Sequence, residues 1–264
     1  MKLSITIYSF NRYFREGRYS VSDFVDFAKN EEFDGVDLGY YWKDESEKIL
    51  VKEKIKRYGL LVPCYITRND FVWLDKKRVK DEVEKVRKEL NNAILFGSHR
   101  LRVFTGRLKA NMDYSDVRDN IIDAFKLLVK YAEEKKVKIA LENHDGIFCS
   151  YKYLLDLLEA VNSQYLRINF DIGNFLIVDE DPLVALDKLY QYIVHVHVKD
   201  FQRKDNKLIG CTLGEGIVKV REIIKGLYDK GYKNFFSIEY EGYEDNIVGI
   251  RKSLKYLRKI IGEL

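Results

Sequence analysis

Proline is nearly absent from this chain: Pro63 and Pro182 are the only two in 264 residues. No Ser-rich, Gly-rich or other low-complexity tract accompanies them, so no linker is visible and one domain spanning residues 1–264 is expected. Cysteine is equally sparse. Cys64, Cys149 and Cys211 lack metal-ligand spacing and are odd in number, as expected of free thiols in a reducing cytoplasm. No apolar run reaches the roughly 18 residues of a membrane span. No charged-then-apolar leader opens the chain either, because Met1–Tyr8 already has strand character. Blocks of one charge sign are missing: 46 Lys+Arg interleave with 42 Asp+Glu for a net charge of +4. Without a basic face, neither nucleic acid nor a membrane is expected as a partner. A G-x-G-x-x-G after the first strand is also lacking, which argues against a dinucleotide-binding doubly wound sheet.

What is present is alternation. Hydrophobic residues make up 46% and charged residues 33% of the chain, a soluble globular balance. Short β-branched or aromatic runs predict strands at Leu3–Tyr8, Gly35–Leu38, Leu60–Tyr65, Arg100–Phe104, Val137–Glu142, Leu166–Asp171, the stretch around His195–Asp200, and Phe235–Glu239. Between them lie amphipathic helices. The longest, Lys76–Phe96, carries Val79, Val83, Val86, Leu90 and Ile94 at helical spacing and stops at Gly97. Ser20 or Ser22 is placed to cap the first helix, and Pro182 sits near the start of another. The stretch Phe201–Ile217 has the character of a long connection. Eight strand–helix units in 264 residues predict a single (β/α)8 TIM barrel with parallel strands.

The chemistry gathers at predicted strand ends, where such barrels place their reacting groups. Glu142-Asn143-His144-Asp145 closes the fifth strand and Asp171-Ile-Gly-Asn174 the sixth. His195-Val-His197-Val-Lys199-Asp200 forms the seventh, and Glu239-Tyr-Glu241 closes the eighth. Strand alternation puts His195, His197 and Lys199 on one face; a pair of satisfied structural histidines and a metal or catalytic site fit that pattern about equally well. A single glutamate at a strand end is more often a cap or ion-pair partner. Carboxylates and an imidazole recurring on successive strands would instead repel one another unless a cation sat between them. That mostly oxygen donor set suits Mn²⁺ or Mg²⁺, with Co²⁺, Fe²⁺ or Zn²⁺ as alternatives.

These motifs, Leu-Glu142-Asn-His, Phe-Asp171-Ile-Gly-Asn, His195-Val-His197-Val-Lys-Asp and Ser-Ile-Glu239-Tyr-Glu, with Leu213-Gly-Glu-Gly216 further on, resemble the xylose isomerase-like TIM barrel superfamily, in particular its sugar phosphate isomerase/epimerase family. The resemblance implies a divalent metal, Mn²⁺ first, held by Glu142, Asp171, His197 and Glu239, with Glu142 and Glu239 as the catalytic acid–base pair on a small-molecule sugar. It implies substrate contact from Arg203, six residues after His197, and it implies homo-oligomers. Asn174, His144 and Lys199 are further candidates for substrate contact. Asn143, Asp200 and Glu215 belong with them, ordinary loop hydrogen bonding being the bland alternative for each. The ketose epimerases of the superfamily have histidine where this chain has Asn174 and glutamate where it has Phe148, which implies different substrate contacts. Endonuclease IV, in the same superfamily, needs many more histidines than the four here. A dehydratase or lyase on a polyol or keto acid is the alternative activity. Arg102 and Arg107 flank the fourth strand and suit either a phosphate or the surface.

Overall fold

The computed structural model describes all 264 residues, Met1–Leu264. Eight parallel strands close into a barrel: β1 (Lys2–Thr6), β2 (Gly35–Gly39), β3 (Tyr65–Ile66), β4 (Arg100–Val103), β5 (Lys138–Glu142), β6 (Leu166–Asp171), β7 (Ile193–Val198) and, after an inserted hairpin, β10 (Phe235–Ile238). The hairpin is β8 (Asp200–Lys204) with β9 (Lys207–Cys211). Nine helices surround the barrel: α1 (Asn11–Arg15), α2 (Val21–Asn30), α3 (Glu45–Tyr58), α4 (Lys76–Leu95), α5 (Tyr114–Lys135), α6 (Tyr151–Val161), α7 (Pro182–Leu189), α8 (Val220–Asp229) and α9 (Asn246–Gly262). No helix is long and apolar enough to cross a membrane, and all three cysteines are free.

Helix ends follow local chemistry. Ser20, not Ser22, caps α2 through a reciprocal box with Asp23. Asp44 and Asp75 cap α3 and α4. Gly59 and Gly97 take the positive φ that ends those two helices, at +67° and +71°.

Three elements depart from expectation. β1 stops at Thr6 because Ile7–Phe10 winds into a 3-10 turn. That turn is pinned by Ser9, whose Oγ donates to the Ile238 carbonyl at 3.2 Å and accepts from the Tyr240 N–H at 2.9 Å. β3 is two residues long rather than Leu60–Tyr65: Pro63 has no N–H to give a neighbouring strand, and upstream only Leu61 bridges to Gly35. The predicted connection Phe201–Ile217 instead contains the β8–β9 hairpin. Its turn residues Asp205 and Asn206 sit at φ 48° and 59°, the two-residue geometry that Asp and Asn favour.

Candidate active site

Register assembles the site. Asp171 at the end of β6 lies beside His197 of β7, and Glu142 at the end of β5 beside Asn169 of β6. Glu239 follows β10 and ties back through its N–H to the Val198 carbonyl at 3.0 Å. The outcome is that Glu142, Asp171, His197 and Glu239, all buried, each offer a ligand atom within 4.8 Å of the others. The four residues predicted from successive strands therefore meet at one point at the strand ends.

His195 separates from His197. One pleat deeper, its Nε2 lies 2.7 Å from Asp37 Oδ2, and His197 Nε2 lies 3.4 Å from the same oxygen. All three residues are fully buried. Burial opposes the Asp37 carboxylate, yet His195 and His197 hold its pKa well below the usual range. An ionised carboxylate only accepts, so the ring nitrogens facing Asp37 are N–H groups. His197 thereby turns Nδ1 towards Glu142 Oε2 at 3.4 Å and Glu239 Oε2 at 3.9 Å. Burial lowers His197, but Glu142 and Glu239 outweigh it and lift the pKa to about 9. For His195 burial wins over Asp37 and its pKa falls.

Two buried cations divide the glutamates. Arg102 Nε lies 3.1 Å from Glu142 Oε2, its guanidinium stacks 3.9 Å from the centre of the Phe104 ring, and Nη1 donates to the Thr67 carbonyl. It is therefore an interior residue, and the surface alternative is excluded. Lys199 Nζ reaches Glu239 Oε2 at 2.7 Å, Glu241 Oε1 at 3.1 Å and Asp171 Oδ2 at 3.3 Å. Burial opposes that ammonium, but the carboxylates raise its pKa well above normal. The same contact, with His197, takes Glu239 well below the carboxylate range despite burial.

Asp171 carries the conflict that a metal would resolve. Its Oδ1 accepts from the N–H groups of Gly173 and Asn174 at 2.9 and 3.1 Å, which favours the ionised form. Burial, with Glu239 and Glu142 nearby and Lys199 only partly offsetting, pushes its pKa up to about 7. Its buried Oδ2 makes no hydrogen bond and faces the Lys199 ammonium at 3.3 Å. That oxygen, the Nδ1 of His197 and the two glutamates form a donor set that fits a small divalent cation.

The other candidates scatter. Asn174 is buried and bonded to the Asn143 carbonyl at 3.0 Å, with its Oδ1 3.5 Å from Lys199 Nζ. Asn143 braces β6, donating to the Asp171 carbonyl and accepting its N–H. His144 stacks 4.1 Å over Phe104 and pairs with Asp145 at 3.0 Å, at the rim of the site. Asp200 organises the Leu213–Gly216 loop, accepting from the N–H groups of Phe201, Gly214, Gly216 and Val218 at 2.8–3.0 Å. Glu215 is exposed. Arg203 does not join the cluster: it stands on the hairpin, 47% exposed, 3.5 Å from Asp179. The hairpin sets it apart from the four clustered residues, on the exposed end of β8.

Sequence reasoning missed Asp37 and Asn169. Asn169 donates to Glu142 Oε2 at 2.8 Å and lies 3.2 Å from His197 Nδ1. Each stood in plain view as one polar residue inside an apolar strand run, Val-Asp37-Leu and Ile-Asn169-Phe, a pattern that needs a buried partner.

Comparison with known proteins places the fold in a family. The family model described as xylose isomerase-like TIM barrel matches residues 25–260. The 3-dehydroshikimate dehydratase of Bacillus anthracis is 24% identical, with 92% of each chain covered. An uncharacterised Methanocaldococcus jannaschii protein is 28% identical over 56% of this chain and 52% of its own length. An inosose dehydratase of Bacillus cereus is 26% identical over 47% of each; the match thus spans about half the length of these last two relatives. Among solved structures, the IOLI protein with a bound zinc atom superposes with TM-score 0.85 at 15% identity, covering 100% of this chain and 99% of that one. An L-ribulose 3-epimerase gives 0.82 at 15% identity over 99% and 95%. The chain belongs to the xylose isomerase-like TIM barrel family.

Proposed function

We propose that this protein is a divalent-metal-dependent sugar isomerase or epimerase, moving a proton at the carbon next to a carbonyl. The observation carrying this is that two buried glutamates from different strands reach one donor cluster, each with a cation of its own. Glu142 is braced by Arg102 and Asn169, and Glu239 by Lys199. Glu142, Asp171, His197 and Glu239 would hold the ion, Mn²⁺ as first choice, which when bound draws off negative charge developing on the carbonyl oxygen. One glutamate takes the carbon-bound proton. Return by the other from the opposite face inverts the centre; return to the adjacent carbon isomerises. Lys199 keeps Glu239 charged and Arg102 holds Glu142 in place within a buried site, and Asn174 and His144 at its edge are the substrate contacts. The free thiols fit a reducing cytoplasm.

A second reading, dehydration of a polyol or keto acid, is favoured by the nearly full-length match to a 3-dehydroshikimate dehydratase. One glutamate then takes the carbon-bound proton and returns it to the leaving hydroxyl, which departs as water. Both readings are separated by one experiment: Mn²⁺-loaded protein with ketoses, aldoses, 3-dehydroshikimate and inosose in D₂O, followed by NMR. Deuterium uptake at carbon with an epimer or isomer supports the first; loss of water without epimer formation replaces it with the second. No exchange and no dehydration across the panel refutes both, as does an unchanged rate in Glu239→Gln.

A further inference from the structure

The opposite end of the barrel has a distinct charge pattern. A concavity of about 250 Å³ opens there, lined by His99, Arg100, Lys136, Lys138 and Arg167 and by no acidic residue. Three of these cations start consecutive strands. Arg100 of β4 lies directly beside Lys138 of β5, and Arg167 is the second residue of β6. Like charges facing each other across strands are destabilising. On the outer helices this chain pairs comparable charges, as in Lys85–Glu82, Arg87–Glu84 and Lys225–Asp229; around this concavity no cation has a carboxylate partner. Part burial, then Arg167 and Arg100, hold Lys138 below its ordinary pKa. The two guanidiniums are anchored on neutral oxygens: Arg167 Nη1 on the Ser163 and Leu166 carbonyls at 3.0 and 2.7 Å, Arg100 Nη1 on the Pro63 carbonyl at 3.2 Å. Each guanidinium has five N–H donors, so both retain spare donors in a fixed orientation.

We propose that this concavity at the strand starts binds a small phosphate-bearing anion. Several cations converging from three strands suit the multiple charges and oxygens of phosphate. Tyr165 is the one apolar lining group, so the chemistry recognised is the phosphate rather than a base or acyl chain. The strand starts lie at the far end of the barrel from Glu142 and Glu239, so this site is separate from the proton-transfer site and does not rest on that function. The test is calorimetric titration with pyrophosphate at low ionic strength, alongside melting curves with pyrophosphate or with sodium chloride at matched ionic strength. Saturable binding and a melting shift specific to pyrophosphate are expected. Lys138→Glu should weaken binding by about tenfold or more, the scale of one lost charge-assisted contact. Lys138 is exposed and its replacement sets a carboxylate beside Arg100, so without ligand the variant should melt at or above the wild-type temperature. Absence of saturable heat overturns the proposal. So does an affinity unchanged in Lys138→Glu, or an equal loss in the remote control Lys225→Glu.

Discussion

Asp37 is the residue whose removal is most revealing. Its Oδ2 is hydrogen-bonded to His195 Nε2 at 2.7 Å in a dry interior and faces His197 Nε2 at 3.4 Å, a charge contact without a hydrogen bond. Asp37→Asn keeps the shape and one acceptor for His195 but removes the negative charge facing both imidazoles, costing about 1–3 kcal/mol. Asp37→Ala also orphans the His195 donor and should cost about 3–5 kcal/mol, the range for breaking a buried ionic pair. At roughly 2–4 °C per kcal/mol for a chain of this size, the melting temperature should fall by roughly 2–12 °C for Asn and 6–20 °C for Ala. The pH dependence adds a second readout. A carboxylate whose folded pKa lies below its unfolded value, near ~3.9, contributes stability that is complete above that value and lost as pH falls towards the folded one. Urea unfolding at a series of pH values should therefore show the gap between wild type and Asp37→Asn narrowing from about pH 5 to pH 2. A gap that stays constant, or Asp37→Ala melting with wild type, would refute the account of Asp37 as an ionised anchor for both histidines.

Other predictions follow from the same geometry. His197, lifted to about 9 by Glu142 and Glu239, must lose its Nδ1 proton before that atom ligates. Mn²⁺ affinity of chelator-stripped protein should therefore rise from pH 6 to 9 and proton release should accompany binding, measured by calorimetry in buffers of different ionisation heat; affinity flat with pH contradicts this. Mn²⁺ should also raise the melting temperature of wild type but not of Asp171→Asn, since Asp171 Oδ2 is the carboxylate oxygen of the cluster that makes no hydrogen bond. Asp200→Ala removes the acceptor of four backbone N–H groups and should cost on the order of 3 kcal/mol, with hydrogen exchange accelerating at Gly214, Gly216 and Val218. Arg203→Ala, breaking an exposed pair with Asp179, should change stability by less than about 0.5 kcal/mol; a large loss in urea unfolding would show that the hairpin depends on it.

Periodicity and end chemistry were legible in the chain because both are local. The valines of α4 recur at helical spacing, Ser20 and Asp23 cap one another three residues apart, and eight strand–helix units allow one parallel closed sheet. The strand ends likewise announced Glu142, Asp171, the His195/His197 pair and Glu239, since a barrel brings successive strand ends to one rim; the choice of His197 came from the family resemblance. The Asp205-Asn206 turn was local too, though it was hidden by the polar residues around it.

The tertiary structure decided what alternation leaves degenerate. His195 and His197 share a face in sequence; only the depth of Asp37 on a strand across the barrel divides them, one as a buried anchor and the other facing the carboxylates. Arg102 stands in an apolar run, Leu-Arg102-Val-Phe, which signals a buried partner without naming it; the structure supplies Glu142 and the Phe104 ring and holds the arginine at 2% exposure. The resemblance implies a substrate contact for Arg203; the tertiary structure sets it on the β8–β9 hairpin, beside Asp179. In each case the partner lies tens of residues away or more, and the free energy of a buried charge is set by that partner rather than by its neighbours along the chain.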